Sequence, residues 1–324
     1  MKQLKHSLFF FIAISTFFIV ACDNPNTGGG GAANTGKPRI AVIPKGTSHN
    51  FWLSIKAGAD AAGKDLGAEI IWKGPASETD FSGQMNIVED AISKRVDGIL
   101  LAPSHGDSLV PVCKKAKEAG IPVVIMDSGI NWEDYLSYVS TDNRKGGEMA
   151  AERMATLLGG KGTVGVIANK IGSVSTDERE NGFKDVIEKK YPGIKIVATL
   201  YGDSDRTKSA NVAEDILTKN PNINGLFGSC EPAAIGALTS VNIKALQGKV
   251  KIVGFDSSPE LVNNLRAGII DSLVVQDPYK MGFEGVRAIL DKKANKPVER
   301  RQDTGVVLVT KENMGTPEIQ KLIK

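Results

Sequence analysis

The sequence is short of the residues that build metal clusters and covalent frameworks. Only three cysteines and three histidines occur among its 324 residues. No Cys or His run has the spacing of a structural zinc site, so no metal is expected. An excess of one charge sign is also lacking: 40 Lys and Arg face 37 Asp and Glu, a formal net charge of +3 that falls to +1 without Lys2 and Lys5. A basic surface for nucleic acid is therefore not expected. The apolar run Leu8 to Val20 has thirteen residues, too few to cross a bilayer as a helix. No nucleophile elbow and no phosphate-binding loop occurs. Gly159-Gly-Lys-Gly162 precedes a strand pattern instead of opening a helix, the wrong setting for phosphate.

What is present begins with an address. Lys2 and Lys5 precede the apolar run in the order of an export signal. Ile19-Val-Ala-Cys22 then resembles a lipoprotein signal box, in which the cysteine is lipidated and becomes the first mature residue. The rival is an ordinary secretory signal with an incidental cysteine; either way the protein is exported. Residues 1–21 are read as the signal peptide and 22–37, rich in Gly and Asn, as a flexible tether. The mature chain, Cys22 to Lys324, then has 303 residues, enough for two ordinary domains. Cys113 and Cys230 fall in non-equivalent places, one in a helical pattern and one after a strand, so each is expected to stand unpaired.

The strongest internal signal is an echo. Ile40-Ala-Val-Ile-Pro-Lys-Gly returns 124 residues later as Val164-Gly-Val-Ile-Ala-Asn-Lys. Asp97-Gly-Ile-Leu-Leu-Ala-Pro-Ser returns 127 residues later at Asn224, and Val123-Val-Ile-Met-Asp-Ser 129 residues later at Ile252. That period is the size of a domain, so two similar lobes are implied.

From Pro38, short β-rich runs alternate with helical patterns, the mark of a parallel sheet covered on both faces. Strands are expected at 39–44, 69–73, 98–102 and 122–127, then at 163–168, 194–200, 225–228 and 251–256. Trailing strands at 270–276 and 304–310 flank a helix at 277–290. Trp52, Ile55, Ala59, Ala62 and Leu66 form one helix stripe, as do Phe183, Val186, Ile187 and Tyr191. The fold class is α/β: two similar lobes, each a doubly wound, mainly parallel sheet in three α/β/α layers, joined by a three-segment hinge. The first lobe is read as 38–140 plus 277–304, the second as 141–276 plus 305–315. Ligands of such sheets bind beyond the carboxyl ends of the strands. The loops to read are therefore 45–52, 103–107, 127–129, 169–179, 201–206, 229–232 and 255–258.

Those loops carry a family likeness. Asn50-Phe-Trp, Thr141-Asp-Asn143, Arg179-Glu-Asn-Gly-Phe183, Val253-Gly-Phe-Asp256 and Gln276-Asp-Pro-Tyr-Lys-Met-Gly282 stand in order around the echoed strands. In that order and spacing the chain, from about Ile40 to about Thr310, resembles the type I periplasmic binding proteins, and among them the ribose-binding and related simple-sugar-binding proteins of ABC importers. The resemblance implies a sugar enclosed between lobes, stacked on Phe51 and Trp52. Its hydroxyls would be held by Asp127, Arg179, Asp256 and Gln276. Lys45, His49, Ser128, Ser204 and Cys230 depart from the ribose-like pattern, so the resemblance does not extend to ribose itself.

The residue types suit a polyol. Carboxylates accept from adjacent hydroxyls, an arginine presents fixed donors, and an aromatic face covers ring C–H groups. Each has a bland rival: Asp127 or Asp256 as a helix cap, Phe51 and Trp52 as core, Arg179 paired with Glu178 or Glu180 on the surface. His49 is open between ligand contact and a solvated turn. Lys45, Cys230 and Glu231 lie in the right loops; the two charged ones would add a cation and an anion, so that a carboxylate, phosphate or amine on the ligand stays open. The expected role is a lipid-anchored receptor, on the periplasmic side or the outer cell surface, that delivers a monosaccharide-like ligand to an ABC permease. The alternative is a sensor that reports to a membrane kinase or chemoreceptor. No cofactor and no catalysis are expected, although two carboxylates across a cleft are also a glycosidase arrangement.

Overall fold

The computed structural model describes Met1 and residues 36–323; the expected signal peptide, Cys22 and nearly all of the tether lie outside the described residues. Two six-stranded sheets carry the chain. The first contains β1 (Arg39–Ile43), β2 (Glu69–Trp72), β3 (Gly98–Leu101), β4 (Val123–Met126), β5 (Ser137–Ser140) and β11 (Arg301–Asp303), in the order β11-β5-β4-β3-β1-β2. The second contains β6 (Gly162–Ala168), β7 (Ile194–Tyr201), β8 (Gly225–Gly228), β9 (Lys251–Phe255), β10 (Ser272–Gln276) and β12 (Val306–Val309), in the order β12-β10-β9-β8-β6-β7. Every pairing is parallel except that of β12 with β10. The two sheets have the same winding, as the 124- to 129-residue echoes imply.

Alternation along the strands makes three layers in each lobe. In the first sheet Ile40, Val42, Leu100, Val124 and Met126 face α1 (Asn50–Leu66) and α9 (Pro278–Lys293). Ala41, Ile43, Ile99, Leu101, Val123 and Ile125 face α2 (Phe81–Ser93) and α3 (Val110–Glu118). The second sheet repeats this. Val164, Val166, Phe227 and Val253 meet α4 (Asn143–Leu158) and α5 (Val174–Lys190). Ile167, Leu226, Ile252 and Leu273 meet α6 (Arg206–Lys219), α7 (Glu231–Ile243) and α8 (Pro259–Ala267). Each fully buried Ile, Leu or Val contributes about 1.5–3 kcal/mol, which is why runs with no polar residue are tolerated as strands only between two helical layers. After β12, Ile319 of α10 (Pro317–Leu322) and Ile323 just past it lie on the second lobe's core.

The chain crosses between sheets after β5, after β10 and between β11 and β12. The first and third crossings are bonded together: Thr304 N donates to Ser140 O (3.1 Å) and Thr141 Oγ1 to Gly305 O (3.3 Å).

Three readings are corrected here. β5 and β11, which pair with each other at the edge of the first sheet, are absent from the expected strands. Ser137-Tyr-Val-Ser and Arg301-Gln-Asp are too polar to announce themselves: β11 is the exposed edge strand, which needs less apolar surface, and β5, buried beside it, carries serines at both ends. Leu66 is exposed at the last turn of α1, where Gly67 in the left-handed conformation ends the helix, while the rest of its stripe is buried. Tyr191, expected on the α5 stripe, lies just past the helix as its C-cap. Cys113 and Cys230 are both free and buried, as expected.

The helix pairs over each sheet cross at glycine. A Cβ on Gly58 of α1 would run into the carbonyl of Tyr279 in α9, and one on Gly147 of α4 into the carbonyl of Arg179 in α5. Neither wall is a side chain that can swing away. Gly147→Ala is therefore expected to lower stability in urea by about 1–3 kcal/mol, as overpacked positions do. A change below about 0.5 kcal/mol, the usual size for unconstrained surface positions, would contradict this close crossing.

Candidate functional site

The carboxyl ends of the two sheets face one another, and the residues that follow the strands meet there. All ten expected contact residues, Lys45, His49, Phe51, Trp52, Asp127, Arg179, Cys230, Glu231, Asp256 and Gln276, line one cavity between the lobes. The free space among them is about 30 Å³. The lobes are thus closed on a polar, tightly filled site.

Two aspartates mark equivalent places. Asp127 follows β4 and Asp256 follows β9, and both hold left-handed backbone angles, φ 60° and 70°. Such angles cost on the order of 1–3 kcal/mol in a non-glycine residue. The neighbouring strands hold them there: Asp127 N donates to Val139 O (3.0 Å) and Asp256 N to Val274 O (2.8 Å). Neither carboxylate caps a helix that follows it; α8 is capped by Ser258. Asp256 accepts instead from Gln276 Nε2 (2.6 Å) and from the backbone N of Glu231 (3.0 Å). Burial pushes its pKa up, against the charge of Arg179 and the Gln276 bond.

Lys45 is the first lobe's cation. It is 2% exposed, and its Nζ lies 2.9 Å from Asp127 Oδ2. It also donates across the cleft to Ser175 Oγ (3.0 Å) and Ser173 Oγ (3.2 Å). A buried ion pair gains from such extra partners because both charges have left water.

Arg179 faces it from α5, also 2% exposed. Its Nε donates to Asn143 Oδ1 (2.8 Å) and its Nη1 to Ser229 O (3.1 Å), and the guanidinium lies 3.9 Å above the Phe255 ring. It is not paired with Glu178 or Glu180. Glu180 instead sits behind the site and accepts from Asn169 N (2.9 Å) and Ser229 Oγ (2.8 Å), and burial above all pushes its pKa up to about 7.

Glu231 joins the lobes. It is 1% exposed and belongs to the second lobe, yet it accepts from Phe51 N (3.2 Å) and Asn50 Nδ2 (3.1 Å) at the start of α1 in the first. His49, the N-cap residue of α1, makes no capping bond of its own. A carboxylate from the opposite lobe thus satisfies the Phe51 amide that the helix leaves open at its electropositive end, and takes a second bond from the Asn50 side chain. Arg206 Nη2 lies 2.6 Å from the same carboxylate.

The aromatic pair serves core and cavity together. The Phe51 and Trp52 rings meet edge to face with centroids 4.9 Å apart, and both pack into the α1–α9 layer. Trp52 Nε1 donates to Glu78 Oε1 (2.9 Å), and His49 Nδ1 lies 3.4 Å from that same oxygen. Glu78 was missed by sequence reasoning. It follows β2, and applying the strand-end rule to that edge strand would have found it. Burial raises the Glu78 pKa, but His49, Lys45 and Lys170 outweigh it and hold the carboxyl at about 2. Burial lowers that of His49, but the Glu78 bond and the charges of Glu78 and Glu231, against Arg206, leave it raised.

Asn169, Ser175, Thr176, Ser204 and Pro232 also line the cavity, all within loops singled out from sequence. Asn169 Oδ1 and Gln276 Oε1 are buried acceptors with no bonding partner among the described residues. The Cys230 thiol is buried, which raises its pKa and keeps it protonated. The site therefore offers free acceptors, fixed charged groups and an aromatic wall.

Residues 40–297 match the periplasmic binding protein domain family. The chain is 32% identical over 286 residues to the D-ribose/D-allose-binding protein of Pseudomonas aeruginosa, covering 85% of this chain and 89% of that one. Among solved structures it is similar to a carbohydrate transporter solute binding protein from Agrobacterium radiobacter in complex with D-arabinose. That match has 37% identity and a TM-score of 0.87, and covers 90% of this chain and 100% of that one. An ABC transporter solute binding protein from Agrobacterium vitis with bound D-fucose matches at 39% identity and TM-score 0.86, covering 88% and 100%.

The His49–Glu78 pair has a pH signature. The raised pKa of His49 means its contribution to stability is full below its ordinary 6.5 and is lost as pH rises through the folded value. Glu78 contributes above its ordinary 4.5, and that is lost as pH falls toward about 2. The melting-temperature difference between the protein and His49→Gln should be largest between these ordinary values and shrink in alkali. A difference that stays flat from about pH 5 to about pH 9 would refute a charged pair.

Proposed function

The chain belongs to the periplasmic binding protein family, and from that premise we propose that it is an extracytoplasmic receptor that closes on a neutral, monosaccharide-like polyol and delivers it to an ABC permease. The observation that carries this reading is the set of twin aspartates, Arg179 and two unpartnered acceptors around one interlobe cavity. The sugars held by the similar proteins agree with it.

Charge pairing favours a neutral ligand. Lys45 lies against Asp127, Arg206 against Glu231, and His49 against Glu78. The charge of Arg179 opposes the rise in the Asp256 pKa. Each formal charge of the cleft thus has an opposite close by, and a ligand carboxylate or amine would be unbalanced in a buried site. Hydroxyls suit the remaining acceptors and the Nη2 of Arg179, and hydrogen bonds to charged groups are worth about 1.5–3 kcal/mol each. All ten lining residues expected from sequence are assigned as ligand contacts, with Glu78 and Asn169 added.

The lining side chains of both lobes, among them Lys45, Asp127, Arg179, Glu231 and Asp256, are buried, so admission of a sugar requires the lobes to part. The first lobe, 38–140 with 277–304, then turns against the second, 141–276 with 305–315 and α10, about the three crossings. Cys22 carries the lipid that holds the receptor at the membrane, and 22–37 is its tether.

Isothermal titration of the purified protein with D-ribose, D-allose, D-arabinose and D-fucose tests this reading. At least one should bind, and Arg179→Ala and Asp256→Ala should each weaken it by roughly tenfold or more. Silence across the panel and a wider set of neutral monosaccharides would sink the proposal. For the anchor, metabolic labelling with a palmitate analogue should mark the protein and fail to mark Cys22→Ser. Equal labelling of both would exclude Cys22.

A further inference from the structure

The lobes do not meet in the same way along the two flanks of the cleft. On one flank they are sealed: Gly106 N donates to Gly172 O (3.0 Å), Ser175 N to Ser128 Oγ (3.1 Å) and Lys170 Nζ to Ser104 O. On the other, the Ser48–Asn50 and Ala76–Glu78 loops of the first lobe face Asp203–Arg206 of the second across a groove of about 520 Å³. Among the described residues no hydrogen bond joins the two walls of that groove directly; Asn50 of one and Arg206 of the other are linked only through Glu231 at its edge. Its inner end is formed by His49, Glu78 and Ser204, the same three residues that close the inner cavity on this side. These three side chains are common to the linings of both spaces. Ser204, at φ 58°, puts only a hydroxymethyl group into that wall.

We propose that this groove is a second subsite, continuous with the inner cavity, that holds a neutral glycosyl unit attached to the enclosed sugar. The inference rests on the sugar-receptor reading and narrows it from monosaccharides to glycosides. The chemistry of the walls selects the occupant. Ser48, Ser77 and Ser204 offer hydroxyls and Asn50 an amide oxygen, its nitrogen being bonded to Glu231, while Ala76 is the one apolar side chain, so a hydrophobic aglycone finds no partner. The cation Arg206 is already engaged by Glu231 and, at 3.8 Å, by Glu260. Asp203 is tied to Lys208, and Asp205 accepts from Lys208 N (2.6 Å). With the cation committed and carboxylates on both walls, a phosphate or carboxylate would be repelled. A hydroxyl-rich, uncharged ring fits what remains.

The probes are the tightest-binding sugar of the titration panel, its mono-O-methyl derivatives at each hydroxyl in turn, methyl glycosides included, and a disaccharide linked through whichever oxygen tolerates methylation. One position should keep affinity within about threefold while the others lose roughly a hundredfold, and the matching disaccharide should bind within about tenfold of the free sugar. Ser77→Trp, an exposed position on the groove wall, should weaken the disaccharide by at least about tenfold and the free sugar by less than about twofold. Ser48→Trp on the same wall serves as a second variant should the first misfold by circular dichroism. If the free sugar binds but no methylated position is tolerated, the cavity is sealed on all sides and the subsite is refuted while the receptor reading stands. If methylation is tolerated but the disaccharide fails, or neither tryptophan affects it, the groove does not hold a glycosyl unit. If neither sugar nor derivative binds, the receptor reading fails and takes the subsite with it.

Discussion

One carboxylate on the second lobe completes a helix on the first, and the closed shape depends on it. Glu231 supplies the acceptors that the first turn of α1 lacks, since His49 provides no cap of its own. Separating the lobes leaves the Phe51 amide open at the helix start and strips Glu231 of two donors at once. The cost is moderated because Arg206 stays with Glu231 on the same lobe. Closure is therefore favourable without being locked. Lys45 works alike from the other side, staying with Asp127 while letting go of Ser173 and Ser175.

Around that contact the duplication supplies the geometry. Twin strands end in twin aspartates, each bent into a left-handed angle that its neighbouring strand enforces. Strain at one such residue is a local matter. At two equivalent residues facing each other, it places a pair of acceptors at opposed positions, set by sheets too well packed to yield. The glycine crossings of α1 on α9 and α4 on α5 carry the same symmetry into the outer layer. In the second lobe that crossing lies against Arg179 itself, so the positioning of its guanidinium begins with a missing Cβ on Gly147.

The fold was legible in the sequence where burial on both faces demands uninterrupted apolar runs, as at Ile99-Leu-Leu and Val123-Val-Ile. It was illegible at β11, whose edge position relaxes that demand, and at β5 beside it, whose buried positions are partly filled by serine. The site residues could be read because strand ends in such a sheet all point to one place, and the echo identified which aspartates correspond. Their partners could not. That Arg179 bonds Asn143 and Ser229, or that Glu231 reaches Asn50, depends on how two distant surfaces come together. Glu78 shows the intermediate case: the rule that locates it was at hand, but it follows an edge strand with no fully buried residue, where the signal is weakest.

Three segments pass between the lobes, and two of them are stitched to each other through Ser140, Thr141, Thr304 and Gly305. A bonded pair moves as one strip, so the first and third segments cannot shift independently while those two bonds hold, and the path between the lobes behaves as two connections and not three.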